Sequence, residues 1–474
     1  MRVDYEIVIG LEVHVELSTK TKIFCSCPTH FGAPPNTLCC PVCAGLPGAL
    51  PTLNEEAVKK AIKAGIALNC AISEHSAFDR KNYFYPDLPK AYQITQFYSP
   101  ICRGGHVEID TESGIKQIGI TEIHLEEDAG KLTHSGSSSF IDLNRCGVPL
   151  IEIVSEPDMR SADEAKEYLR QLRTLLLYAE VSDCKMNEGS MRCDVNISVR
   201  KLGDKTLGTR TELKNINSIS FVGKAIEYEA QRQISLLEKG CQIVRETRRF
   251  DAQSGKTYSM RAKEDADDYR YFPEPDLPPL ILEKEWIETI KKELPTLPDE
   301  RKKQYSEKYS LSPNETAVLV SDKAIADYFE SAAEHTKYPK ALANFIVTDL
   351  LSLQETEDLD FKITPSHLAS LSDLFGSDLI NSSSAKKLLL EMWESDIDPE
   401  IAVKERGLAQ INDTVILSEI VNKVITENPK AVEDYKNGKK AASKTIIGLA
   451  MKATAGKANP KILTTLAEAI LNEK

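Results

Sequence analysis

IDLNRCGVPLIEIVSEPD, residues 141–158, is the stretch from which the fold is read. Its first half sets Asp142, Asn144 and Arg145 beside a glycine and a proline. Pro149 locks its own φ and biases Val148 toward extended geometry, which makes this half a polar turn of fixed shape. The second half, residues 150–154, is a β-rich apolar run with Glu152 at its centre. A carboxylate inside such a run is costly to bury alone. Either the strand has a wet face, or Glu152 has a cation or a metal to meet.

The same style recurs on both sides of this stretch. Residues 4–17 alternate: Tyr5, Ile7, Ile9, Leu11, Val13, Val15 and Leu17 share one face, and Glu6, Glu12, His14 and Glu16 share the other. Period two sets Glu12 and His14 side by side, about 7 Å apart along a strand. Such a pair suits a hard metal or general-base work, and equally a solvent-facing polar edge. Residues 118–128 read as a strand ending in Glu126, Glu127 and Asp128, a cluster that repels itself unless a cation sits among it. In residues 191–200, Arg192, Asp194, Asn196, Ser198 and Arg200 share a polar face opposite Met191, Cys193, Val195, Ile197 and Val199; Arg210, Glu212 and Lys214 continue the style. Antiparallel strands with one polar face predict a lined cleft.

Helical patterns flank these strands. Asn54 caps one running to about Leu68, Ser161 with Glu164 reads as a capping box, and residues 218–239 form a long helix closed by Gly240. Near Pro295 the period changes from two to helical, with helix starts at Thr364 and Ser384, and Gly407 marks a polar hinge. The expected fold is therefore α+β: a β-rich N-terminal cradle with flanking helices (1–294), an all-α domain (295–406) and a small α-helical tail domain (407–474). Residues 264–279, EDADDYRYFPEPDLPP, form an acidic, proline-stiffened arm: a lid, a strap or a plain surface connection.

The 474 residues carry a formal net charge of -13 and 11 cysteines, with no signal-peptide pattern and no run of ~20 apolar residues. This combination predicts a cytoplasmic protein in a reducing compartment, away from membranes, whose cysteines serve metal or remain free thiols. Cys25 and Cys27, then Cys40 and Cys43, match a structural zinc knuckle over residues 25–43, in which four thiolates leave no open position for catalysis; free thiols are the alternative, and Cys39 blurs the assignment. Residues 78–97 interleave Arg80, Lys81 and Lys90 with Tyr83, Phe84, Tyr85, Tyr92 and Phe97, which suits a nucleotide or an RNA end, or else a proline-bent core loop. Lys436, Lys439, Lys440, Lys444 and Lys452 fall in a stretch without acids, a phosphate-backbone footprint or a solvated lysine face. Neither a Walker P-loop nor a Rossmann glycine fingerprint is present, so any use of ATP needs another architecture.

Taken together, IDLNRCGVPLIEIVSEPD, EIVIGLEVHVEL, FDRKNYFYPDLPKAYQITQ, MRCDVNISVR and VEDYKNGKKAASKTIIGLAMK resemble, in pattern and over essentially the whole chain, the B subunit of the bacterial tRNA-dependent amidotransferase. The resemblance implies a subunit that uses ATP to phosphorylate the side-chain carboxylate of glutamate on tRNA(Gln) or aspartate on tRNA(Asn), after which ammonia gives the amide. It implies a partner amidase (A) subunit that releases the ammonia from glutamine, a small C subunit, misacylated tRNA as substrate, and a tail domain that touches the tRNA body. Phosphoryl transfer needs Mg²⁺, and Mg²⁺ takes carboxylate oxygens with an occasional imidazole nearby. The expected catalytic and magnesium-holding groups are accordingly Glu12, His14, Glu126, Glu127 and Glu152, with Asp194 a further magnesium candidate. By residue type, Arg145, Arg192 and Lys214 suit phosphate or the substrate carboxylate. The knuckle is expected to be structural, and the five tail lysines to meet tRNA. Residues 135–139 lack the serine-lysine frame of an amidase, so no glutaminase activity is expected of this chain alone. Two other readings compete: a zinc-stabilised tRNA-binding scaffold without a catalytic site of its own, and a hydrolase with catalytic zinc.

Overall fold

In the computed structural model, residues 4–262, 266–354, 359–437, 439–454 and 456–473 are described. Glu264 and Asp265 of the acidic arm lie outside them. The chain divides into two compact units, Met1–Pro298 and Asp299–Lys474.

Alternation makes the first unit a sheet with unlike faces. The strands of its two larger sheets are β1 (Tyr5–Glu16), β2 (Ala71–Ile72), β3 (Asp79–Asn82), β4 (Tyr92–Thr95), β5 (Cys102–Arg103), β6 (His106–Thr111), β7 (Gly114–Glu127), β8 (Pro149–Ser155), β9 (Met191–Lys201), β10 (Thr211–Lys214), β11 (Glu246–Asp251), β12 (Lys256–Ala262) and β13 (Phe272–Pro273). Ten of them form one sheet, in the order β12-β11-β10-β9-β1-β8-β7-β5-β2 with β6 paired to β7. The pairing is antiparallel except between β10 and β11. β13, β3 and β4 make a second, three-stranded sheet.

The apolar face of the large sheet packs on helices α1 (Glu55–Ala67), α2 (Ala162–Tyr178), α3 (Ile219–Glu238) and α4 (Lys284–Lys292). Ile9, Leu11, Val13, Val195, Ile151 and Ile153 meet Ala61, Ile62, Leu169, Leu172 and Val222 in one core. Asn54 caps α1 by accepting from Glu56 N, and Ser218 caps α3 by accepting from Phe221 N. At α2 only half of the expected capping box forms. Ser161 Oγ accepts from Glu164 N, but the Glu164 carboxylate takes Arg160 N at 2.7 Å and Lys116 Nζ at 2.8 Å instead of closing the box. Together these two donors hold the carboxylate away from Ser161 N, the lysine through a charge-assisted bond.

The acidic arm is strapped back onto the sheet. Arg80 pairs with Glu274 at 2.7 Å and Asp276 at 3.0 Å, and Phe272 sits opposite Arg80 in the β13–β3 ladder. Tyr271 stacks on Phe97 with 4.1 Å between ring centroids.

Among the described residues the second unit is helical and holds two apolar clusters, one from Tyr305, Phe329, Leu368 and Leu388, the other from Leu417, Val421, Ile446 and Leu463. The helix expected to begin at Ser384 starts at Ser382, because Asn381 accepts from Ser384 N and so takes the cap. Gly407 ends the helix Pro399–Arg406 with φ of 59°. The segment after it is tied down: Gln410 N donates to Leu379 O and Ile411 N to Lys457 O, both at 2.7 Å. No helix among the described residues is long and apolar enough to cross a membrane.

Candidate active site

Register assembles the polar face of the large sheet into rows. In the β7–β8–β1–β9 ladders His124 lies opposite Glu152, Glu152 opposite His14, and His14 opposite Arg192. The next row on one side runs Glu122, Val154, Glu12, Asp194, and on the other Glu126, Leu150, Glu16. A fourth row, in β1, β9, β10 and β11, runs Gly10, Asn196, Glu212, Thr247. Directly opposed side chains sit roughly 5 Å apart at Cβ, and rows about 7 Å. A sheet whose other face is core has thus gathered carboxylates and imidazoles from five strands.

Two groups within this face can hold a metal ion: His14 with Glu126 and Glu152, and Glu12 with Asp194 and Glu212. His14 Nε2 lies 3.9 Å from Glu126 Oε1 and 3.8 Å from Glu152 Oε2. Thr95 Oγ1 donates to Glu126 Oε2 at 2.9 Å. Burial and the charge of Glu152 push the Glu126 carboxyl above its usual range. Burial also works against ionised Glu152, but His14, His124, Lys81 and Lys214 outweigh it and hold that carboxyl low. The two carboxylates are thereby split, one easily ionised and one reluctant, as expected for acids that share a site. His124, its Nδ1 donating to the Gln96 carbonyl and its Nε2 3.1 Å from Glu122, overcomes its burial and rises to about 9.

In the second group Lys214 Nζ bonds Asp194 and lies 3.3 Å from Glu212. Thr247 Oγ1 donates to Glu212 at 2.9 Å, and Asn196 Nδ2 to Glu12 at 2.8 Å.

Other expected residues stand differently. Glu127 follows Glu126, so the pleat turns it to the opposite face. There it accepts from Lys90 Nζ and from Ile94 N, lining a cavity of about 270 Å³ with Lys22, Phe24, Tyr92 and Asp276. Arg192 donates to buried Asp128 at 2.8 Å, and Arg145 lies 3.5 Å from the same carboxylate while donating to the Ala129 and Gly130 carbonyls. The two arginines therefore brace the turn after β7. Lys81, noted in the sequence only as one of a basic set, lies 5.0 Å from the Tyr269 ring centroid; burial opposes its charge, but Tyr271, Glu126, Glu152 and Tyr83 more than offset this. Glu212 and His124 were legible as polar strand positions, but only the ladder register shows that they meet the others.

The knuckle closes as its spacing predicts. The Sγ atoms of Cys25, Cys27, Cys40 and Cys43 all lie within 4.8 Å of one another, against about 3.8 Å between sulfurs in a tetrahedral zinc tetrathiolate. Cys39 is excluded: its thiol donates to Asn36 O at 3.2 Å. A hydrogen bond from Cys25, together with Cys40 N and Lys22, brings Cys43 down to about 4 despite its burial, while burial pushes Cys27 up to about 11. Four convergent sulfurs at these separations fit a structural metal. In the second unit Lys436, Lys439, Lys440, Lys444 and Lys452 are all exposed, and Lys439 reaches Asp434 at 2.9 Å.

A mixed α+β protein with a sheet-borne acidic and imidazole site and a closed four-cysteine knuckle is the class that this geometry defines. Residues 7–288 match the GatB/GatE catalytic domain, and residues 327–471 match the GatB domain. The B subunit of the aspartyl/glutamyl-tRNA(Asn/Gln) amidotransferase of Caldicellulosiruptor bescii is 53% identical over 471 residues, covering 98% of each chain. Its counterpart in Carboxydothermus hydrogenoformans is 52% identical over 98% of each, and one in Clostridium acetobutylicum is 51% identical over 99% of this chain and 100% of its own. The chain belongs to the family of the B subunits of tRNA-dependent amidotransferases.

Proposed function

We propose that this chain, in complex with an amidase subunit and a small third subunit, uses ATP to activate the side-chain carboxylate of glutamate on tRNA(Gln), aspartate on tRNA(Asn), or both, and delivers ammonia to it. The carrying observation is the register that sets His14, Glu126 and Glu152 within ion-ligating distance and puts Glu12 and Asp194 on the same face. Those five, with Glu212, would hold Mg²⁺, which would supply positive charge to offset that of the phosphate oxygens. Lys81 and Lys214 place ammonium groups beside the carboxylates, where they can orient phosphate. Arg145 and Arg192 act at one remove, fixing Asp128 and the turn that follows Glu126 and Glu127. Glu127 serves the Lys90 side of the sheet. Zinc in the four-cysteine knuckle would be structural, pinning a loop with little core of its own. The exposed tail lysines would meet the tRNA backbone. A scaffold without chemistry is disfavoured by acids and an imidazole clustered on a partly buried face, at a cost that scaffolding does not explain.

The chemistry has an atomic signature. A carboxylate oxygen attacks the γ-phosphorus and ADP leaves; ammonia then attacks the acyl carbon and phosphate departs with that oxygen. A reconstituted complex given ATP, glutamine and tRNA charged with ¹⁸O-carboxylate glutamate or aspartate should therefore release phosphate carrying one ¹⁸O per amide formed. Amide formation with unlabelled phosphate would overturn the proposal.

A further inference from the structure

We infer that Asn196 supplies an amide oxygen to a divalent cation held by Glu12, Asp194 and Glu212. The side chain stands on the polar face of β9, directly opposite Glu212 in β10 and Gly10 in β1, and two residues from Asp194 on the same face. Only 9% of the residue is exposed. Its Nδ2 donates to Glu12 Oε1 at 2.8 Å, which fixes the orientation of the amide, since the flipped amide would set oxygen against carboxylate. The other end of that amide, Oδ1, is buried and has no hydrogen-bond donor among the described residues.

A buried acceptor without a donor is unusual and calls for a physical partner. Around Asn196 the ladders place carboxylates on one side and, at Gly10, no side chain on the other. Lys214 offsets one of the three carboxylate charges by bonding Asp194. Charge and empty valence point the same way, to a hard cation of charge two. Such ions take neutral amide oxygens alongside carboxylates. With Asn196, oxygen-bearing side chains from three strands stand on one face: Glu12 from β1, Asp194 and Asn196 from β9, Glu212 from β10, with ligand oxygens of the three carboxylates within 4.8 Å of one another. The first group, His14 with Glu126 and Glu152, shows no comparable orphaned oxygen among its described residues. The inference rests on the activating role proposed above for what the ion serves, but its own content is ligation.

The full-length chain tests it with Mn²⁺ alone, titrated by electron paramagnetic resonance in a Glu152→Gln background that disables the first group. Asn196→Leu should weaken Mn²⁺ binding roughly tenfold or more. Asn196→Asp, which keeps an oxygen at the position but loses the donor to Glu12, should bind at least as well as the background chain. Three results would each overturn the inference: no Mn²⁺ bound by the background chain, unchanged affinity in Asn196→Leu, or Asn196→Asp as weak as Asn196→Leu. The last would mean that Asn196 serves only as the donor to Glu12. Because no turnover is measured, failure of the ¹⁸O transfer leaves this result standing, and failure here leaves that transfer standing.

Discussion

Glu126 and Glu127 are adjacent in the chain and work on opposite faces of β7. The first meets His14 and Thr95; the second meets Lys90. Their acidity was legible in the sequence, and period two already implied their separation, but which of the two would share a hollow with Glu152 depends on β7 pairing with β8, a contact between residues some 25 positions apart. Cysteine spacing was more informative, because four sulfurs within one short loop have few other places to go. Cys43 carries the lowered thiol of that set and touches Lys22 Nζ at 3.5 Å. Cys43→Ser should abolish binding of one equivalent of zinc per chain, measured by metal analysis after gel filtration, and lower the thermal midpoint. Undiminished zinc content would remove Cys43 from the ligand set.

Among elements, helix caps and strand pairing divide the legible from the illegible. Asn54 caps where its residue type predicts, since a cap needs only neighbours within one turn, and Ser218, placed at the start of its helix, is that helix's cap. Glu164 does not close its box because Lys116, distant in sequence, draws the carboxylate away. The complete box is at the helix Pro313–Leu319, where Ser312 and Glu315 exchange both bonds. Ser312→Ala should cost about 1 kcal/mol locally, read as faster amide hydrogen exchange over residues 315–319 with other helices unchanged. The backbone and hydroxyl of Ser312 hold the Glu315 carboxyl below its ordinary range. Its contribution is therefore complete above the usual carboxylate pKa and is lost as pH falls through the lower folded value, so the difference between Ser312→Ala and the parent should shrink in acid. An equal difference at neutral and acid pH would contradict that linkage.

At the scale of the whole molecule, the α+β class followed from hydrophobic period alone. The hollow did not, because its acids come from strands that the chain visits far apart: β1, β7, β8, β9 and β10. Three local signals pointed to a cation there: Glu152 in an apolar run, the crowded acids Glu126, Glu127 and Asp128, and Glu12 beside His14 on one strand face. The claim on which the rest depends is that Glu152 and its neighbours form the place where ATP and the esterified amino acid meet. The direct test is ADP release by the reconstituted three-subunit complex with misacylated tRNA and ATP, glutamine omitted, comparing the parent with Glu152→Gln. A fall of roughly a hundredfold or more, with tRNA binding retained, is the expected result, given the size of a lost electrostatic contact to a transition state. ADP release at the parental rate would show that the chemistry takes place elsewhere.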